Sequence, residues 1–246
     1  MKNSSLKYFV ENSIVELLSE VIVHPLSHFS EKSLQVRLAD KLLKNKKLST
    51  PIKSGINDKY FKQINRLNIT DNYKGKVFSV PPLQMEYGLN IDSKPYRMDI
   101  VILDPAEIKS ICSWQLQNEN KKYLEPVIGI EIGTEKSSWG KMSGNHLEND
   151  AQKMKKGKVK FGYILNIMRN TNVCKKNSLS YKKKYNQINN FKKGMEEFAI
   201  SMPVINWVGM IHHIAYQEIE VFSLSTGWKK IDLRQSTFGI KDILFH

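Results

Sequence analysis

Two short runs constrain this chain most: Tyr96-Arg97-Met98-Asp99-Ile100-Val101-Ile102-Leu103 and Val127-Ile128-Gly129-Ile130-Glu131-Ile132-Gly133. Each is continuous, rich in β-branched residues and too short for a helix, so each predicts a buried strand. Each also carries one acid, Asp99 in the first and Glu131 in the second. A carboxylate in such surroundings costs on the order of several kcal/mol unless something positive compensates it. A cationic side chain would do for one acid, and Arg97 lies two residues from Asp99 on the same strand face. Two acids on neighbouring strands suggest instead a shared divalent cation.

The elements around these strands follow from apolar spacing. Ile14, Leu17, Leu18, Val21 and Ile22 predict a helix over about residues 9–23, stopping before Pro25. Ser30 reads as the N-cap of a second helix, whose Leu34, Leu38 and Leu42 form an apolar stripe. Glu31 and Gln35 lie close to that same face at its N-terminal end, the arrangement of a helix that lines a site. Residues 44–69 lose the pattern, apart from a short helix expected near 59–67. Residues 77–87 predict a strand that Pro81 and Pro82 confine to an edge or bend. After the two acidic strands, Leu147, Ala151 and Met154 mark a helix closed by Gly157, and Phe161 to Met168 a further apolar strand. The helix between the last two strands implies a crossover, hence an α/β fold with a central mixed β-sheet flanked by helices. Beyond it, Thr171 to Asn190 reads as a polar loop. A short helix follows from about Gly194, then strands near 214–224 and 228–233.

At 246 residues and 41% hydrophobic the chain can bury one substantial core, so residues 1–246 are expected to form a single domain. No run of about 18 apolar residues and no signal peptide is read, which predicts neither a membrane span nor a membrane partner. Cys112 and Cys174 are far apart and lack a CxxC spacing, which predicts neither a disulfide framework nor a zinc site, and a reducing cytoplasmic setting. The formal charge of +14 suits a polyanionic partner. It also suits a chain that is simply rich in lysine and asparagine, since only Arg37, Arg66, Arg97, Arg169 and Arg234 of the 38 basic residues are arginines. Lys182, Lys183 and Lys184, with Tyr181 and Tyr185 interleaved, are the candidate nucleic-acid-binding residues, because backbone contact and base stacking use that mixture. A solvated basic loop would look the same.

Asp99 and Glu131, spaced by a strand end, a loop and a strand start, resemble the signature of the PD-(D/E)XK nuclease superfamily. The resemblance extends over about residues 27–168, where the order α-β-β-β-α-β is similar to that superfamily's restriction endonuclease-like core, leaving 169–246 as a C-terminal extension with the basic loop, a helix and strands. It implies a metal-dependent endonuclease acting on DNA, most often double-stranded, in restriction, defence or repair. Asp99, Glu131 and the backbone carbonyl of Ile132 would hold Mg2+, with Mn2+ as a substitute. Double-strand cutting, which needs two centres, would call for a homodimer.

One position departs from the superfamily pattern. The residue two after the second acid is usually Lys, and here it is Gly133. Lys136, three residues on, is the first candidate to supply the missing catalytic cation. Lys153 on the following helix is another, and Glu31, Gln35 and Glu86 are further possible site residues. The gap leaves two readings beside a DNA-cutting enzyme: a catalytically silent nucleic-acid-binding or assembly protein of the same fold, and an RNA-cleaving relative. His212 and His213 read as one buried and one exposed strand residue, and without a third spaced ligand they do not suggest zinc. The four tryptophans read as packing residues, with Trp139 near enough to the proposed cleft to touch substrate.

Overall fold

The computed structural model describes residues 3–25, 30–53, 79–91, 94–110, 124–135, 143–170, 179–233 and 239–245. Helix α1 (Asn3–Val23) starts earlier than expected because Leu6 and Val10 extend the buried stripe of Ile14, Leu17, Leu18 and Val21 toward the N-terminus. Helix α2 (Glu31–Leu43) begins at Ser30, as its sequence predicts. The Ser30 hydroxyl accepts from the Ser33 amide at 3.2 Å and the Ser33 hydroxyl accepts from the Ser30 amide at 3.4 Å, so two otherwise unsatisfied donors are capped reciprocally.

A short helix α3 (Lys46–Ser49) and strand β1 (Ile52–Lys53) follow, and β1 pairs antiparallel with β2 (Ser79–Val80). The helix expected near 59–67 lies outside the described residues. The single strand expected over 77–87 is divided at Pro81-Pro82, where two residues without amide hydrogens cannot continue a ladder, and β3 (Leu83–Ile91) starts afresh. Then come β4 (Lys94–Leu103), α4 (Pro105–Ser110), β5 (Pro126–Glu135), α5 (Ser143–Lys156) and β6 (Phe161–Asn170). The expected order α-β-β-β-α-β is thus interrupted by α3 and the β1–β2 pair ahead of β3, and by α4 between β4 and β5.

The C-terminal third departs further. The polar loop expected over 171–190 is helical from Leu179, and α6 (Leu179–Ser201) runs through the region where only a short helix was expected. Ile188, Phe191, Met195 and Ala199 recur at helical spacing and are all buried, and that stripe holds an otherwise lysine- and asparagine-rich segment in place. Strand β7 (Ile205–His213) precedes the strand expected at 214–224, which is itself shortened to β8 (Glu218–Ser223) by a 3-10 turn at Ile214–Tyr216. Strand β9 (Gly227–Asp232) and helix α7 (Ile240–Leu244) complete the described chain.

Strands β3 to β9 form one seven-stranded mixed sheet in chain order. Neighbours are antiparallel except β5–β6 and β6–β7, which are parallel because α5 and α6 carry the chain back between them. Helices lie on both faces. On one, Ile14, Leu18, Leu34 and Leu38 of α1 and α2 share a buried cluster with Ile100, Ile130, Leu165 and Met210. On the other, Leu147 and Met154 of α5 and Phe191 and Met195 of α6 share one with Val101, Ile164, Trp207 and Phe222. No described helix is long and apolar enough to cross a membrane.

Candidate functional site

The two acidic strands are neighbours, as their sequences suggest. The β4–β5 ladder pairs Ile102 with Ile128, Val101 with Gly129 and Ile100 with Ile130, and its paired residues end there. Continuing that register would set Asp99 opposite Glu131. Instead of another rung, the Asp99 carboxylate accepts the amide hydrogen of Ile132 at 2.7 Å, so the side chain is fixed against the backbone one residue beyond Glu131. Asp99 therefore stands where the two strands part.

Glu131 is buried on the α5 face, flanked along its strand by Gly129 and Gly133. The space beside Gly129 is taken by Met98 and Val159 and that beside Gly133 by Asn166, while α5 brings its polar groups to Glu131 itself. Lys153 places its ammonium 2.9 Å from Glu131 Oε2 and 2.7 Å from Asp150 Oδ1, and donates to the Arg97 carbonyl at 3.2 Å. The cation beside the buried acids is thus Lys153 rather than the Arg97 considered as an ion-pair partner for Asp99. The other oxygen of Glu131, Oε1, is buried without a hydrogen-bond partner among the described residues.

The electrostatics follow from this crowding. Burial pushes the Asp99 carboxyl up to about 6 against the pull of the Ile132 amide, with Glu31 and Asp150 adding repulsion and Lys153 attraction. Burial, then the charges of Asp150 and Asp99, hold the Glu131 carboxyl well above the usual range although Lys153 opposes them. Burial disfavours the Lys153 ammonium, but Glu131 and Asp150 outweigh it and hold its pKa up. Among the described residues, the site is a cluster of carboxyl groups whose mutual repulsion the Lys153 ammonium only partly offsets.

Of the other expected site residues, Glu31 is close enough to Asp99 to act on its charge. Gln35, one turn along α2 from Glu31, is buried with Oε1 unpartnered among the described residues. Glu86 does not join them. In register it is level with Asp99, between the pairs Met85–Ile100 and Tyr87–Met98, but its backbone takes φ 51° there and its carboxylate pairs with the exposed Lys32 at 2.5 Å. Lys136 lies outside the described residues. Lys182, Lys183 and Lys184 belong to the first turns of α6 rather than to a loop.

Two further polar residues were missed by reading for apolar runs. Asp150 sits within the Leu147, Ala151, Met154 stripe of α5 and is buried, an acid on the apolar face of a helix. Asn166 is the one polar residue within Phe161 to Met168, and it is buried opposite Gly133 in the parallel β5–β6 register. In both cases the available signal was a single polar residue inside an apolar pattern.

Elsewhere, His212 is buried on the α1 face, and burial lowers its pKa. His213 is nearly buried rather than exposed, because Asn170 Nδ2 meets its Nδ1 at 3.1 Å and Glu220 Oε1 its Nε2 at 2.9 Å. Although burial opposes it, His213 and Lys192 hold the Glu220 carboxyl down to about 2. Trp207 is buried, and Trp228 packs on Phe191 and Phe222. Trp114 and Trp139 lie outside the described residues.

Two carboxylates from adjacent strands, one with a buried oxygen that has no hydrogen-bond partner among the described residues, are the donor type that a hard divalent cation takes. Among the described residues no group of three or more His, Cys, Asp or Glu side chains is arranged to hold a metal, and the third acid, Asp150, is engaged with Lys153. Comparison with family models, with curated proteins and with solved structures finds no match for this chain.

Proposed function

We propose that this chain is a Mg2+-dependent endodeoxyribonuclease that hydrolyses phosphodiester bonds of double-stranded DNA, with Mn2+ as a substitute metal, serving restriction, defence or repair. The observation that carries the reading is the buried, unpartnered Oε1 of Glu131, set beside Asp99 and Lys153 where two strands part. A fold that buries a carboxylate oxygen without a partner accepts a cost on the order of 1–3 kcal/mol, which a bound cation would remove. On this reading the sheet from β3 to β6 with α2 and α5 is a restriction endonuclease-like core.

In that role Asp99 and Glu131 would hold the ion, which when bound polarises the scissile phosphate and lowers the pKa of a coordinated water. The Ile132 amide fixes Asp99, so that carboxylate is oriented before any ligand arrives. Lys153 reaches Glu131 from α5 and supplies, from a helix, the positive charge that Gly133 does not supply from the strand. It takes the part first considered for Lys136. With a net charge of +14 the protein attracts the sugar-phosphate backbone at long range.

Cleavage of supercoiled plasmid DNA in Mg2+ tests this. Wild type is expected to nick or linearise the plasmid, and Asp99→Ala and EDTA each to reduce the rate by at least about 100-fold, since the site then loses its ion. The Lys153 ammonium between Glu131 and Asp150 favours a second reading, a silent nucleic-acid-binding or assembly protein, because an internal cation already offsets part of the negative charge. DNA binding without scission in either Mg2+ or Mn2+ would select it, and cleavage of RNA but not DNA would select the RNA-cutting relative.

A further inference from the structure

Asn166 is 1% exposed, yet neither Nδ2 nor Oδ1 of its carboxamide has a hydrogen-bond partner among the described residues. Buried amides left unpartnered at both ends are uncommon, because each lost hydrogen bond carries a desolvation cost. The position of this one is informative. A Cβ built on Gly133 would lie 3.1 Å from both Nδ2 and Oδ1 and 3.2 Å from Cγ, so the carboxamide lies across the place where a side chain at 133 would begin. The parallel register sets Asn166 beside Gly133, and Gly133 shares the α5 face with Glu131. The glycine and the asparagine are therefore one feature: a donor and an acceptor carried by β6 occupy the space that β5 leaves empty.

We propose that Asn166 is a catalytic residue of this site, its Nδ2–H donating to a non-bridging oxygen of the substrate phosphate next to the Glu131 carboxylate. The proposal rests on the nuclease reading above and adds to it a residue that no feature of Asp99 or Glu131 would require. The amide is neutral, so it can share the α5 face of the sheet with Glu131 without a counter-charge of its own. It is also fixed by its place in the middle of a seven-stranded sheet, which keeps the donor oriented before substrate binds. An asparagine present only for packing would be better replaced by leucine, which has similar size and no polar atoms to leave unpartnered.

The test compares wild type, Asp99→Ala, Asn166→Leu and the exchange Gly133→Lys/Asn166→Gly, using Mg2+-dependent cleavage of a duplex and thermal unfolding. Asn166→Leu is expected to unfold at a temperature equal to or above that of wild type while kcat falls about 100-fold, as when one preorganised donor to a developing anion is removed, with KM changed by less than about threefold. The exchange, which restores a donor from β5 and clears the space it needs, is expected to recover at least about tenfold of that loss. Full cleavage by Asn166→Leu, with Asp99→Ala inactive, would overturn the role of Asn166 and leave the nuclease reading in place. A wild type that cuts no phosphodiester in Mg2+ or Mn2+ would overturn both.

Discussion

At the scale of the residue, Asp99 illustrates how a carboxylate is held in an unfavourable charge state. Its folded pKa of about 6 lies above the ordinary value of 3.8, so the native protein binds its proton more tightly than the unfolded chain does. The sign is then fixed. The carboxylate costs nothing below about pH 4, and stability falls as the pH rises from about 4 to about 6 and stays lower beyond, by roughly 3 kcal/mol at most. Asn in place of Asp keeps an oxygen to accept the Ile132 amide and removes the charge. Asp99→Asn is therefore expected to melt about 5–10 °C above wild type at pH 7.5, and at the same temperature as wild type at pH 4. Thermal unfolding of both proteins at both pH values checks this, and an equal difference at the two would show that charge burial is not its source.

At the scale of the element, α2 presents Glu31 and Gln35 to the sheet only if its first turn forms, and that turn is held by the reciprocal Ser30–Ser33 cap. Ser30→Ala is expected to lower stability by about 1 kcal/mol, measured as a lower midpoint in urea with an unchanged m-value. This cap was legible in the sequence because a serine ahead of an apolar stripe is a local signal, read within a few residues. The buried strands β4, β5 and β6 were legible for the same reason, and the alternation within β5 places Glu131 and Gly133 on one face. What escaped reading was long-range. The length of helix α6 was obscured because lysines and asparagines mask the Ile188, Phe191, Met195, Ala199 stripe until a sheet is present for it to cover. Asp150 and Asn166 had no partner in sequence to mark them: one meets Glu131 through Lys153 from a following helix, and the other meets Gly133 across a parallel register. The Asp99–Glu131 pair could be read from pattern, whereas the polar groups packed beside it arrive through the crossover that follows β5.

At the scale of the whole molecule, the distribution of charge has two parts that pull in opposite directions. Among the described residues, Glu131 and Asp150 share the Lys153 ammonium with Asp99 close enough to feel its charge, while the chain as a whole carries +14. A phosphate backbone approaching such a protein is drawn by the overall field and repelled by the acids at the centre, so binding energy must come from lysines away from the site. On the proposed function such lysines would neutralise phosphates and release condensed counterions, which would make affinity fall with salt in proportion to the number of contacts. Contact with five or more phosphates gives a slope of log K against log salt of about −4.5 or steeper on duplex DNA. Titrating a fluorescent duplex with wild-type protein in EDTA, so that no strand is cut, over about 50 to 200 mM salt is expected to return such a slope. The same titration with Asp99→Ala is expected to give an unchanged slope and tighter binding, because the substitution removes a repelling charge without adding a phosphate contact. A slope near −1 would mean that the excess of lysine reflects composition rather than a surface for nucleic acid, and unchanged affinity in the variant would place the bound duplex away from the carboxylates.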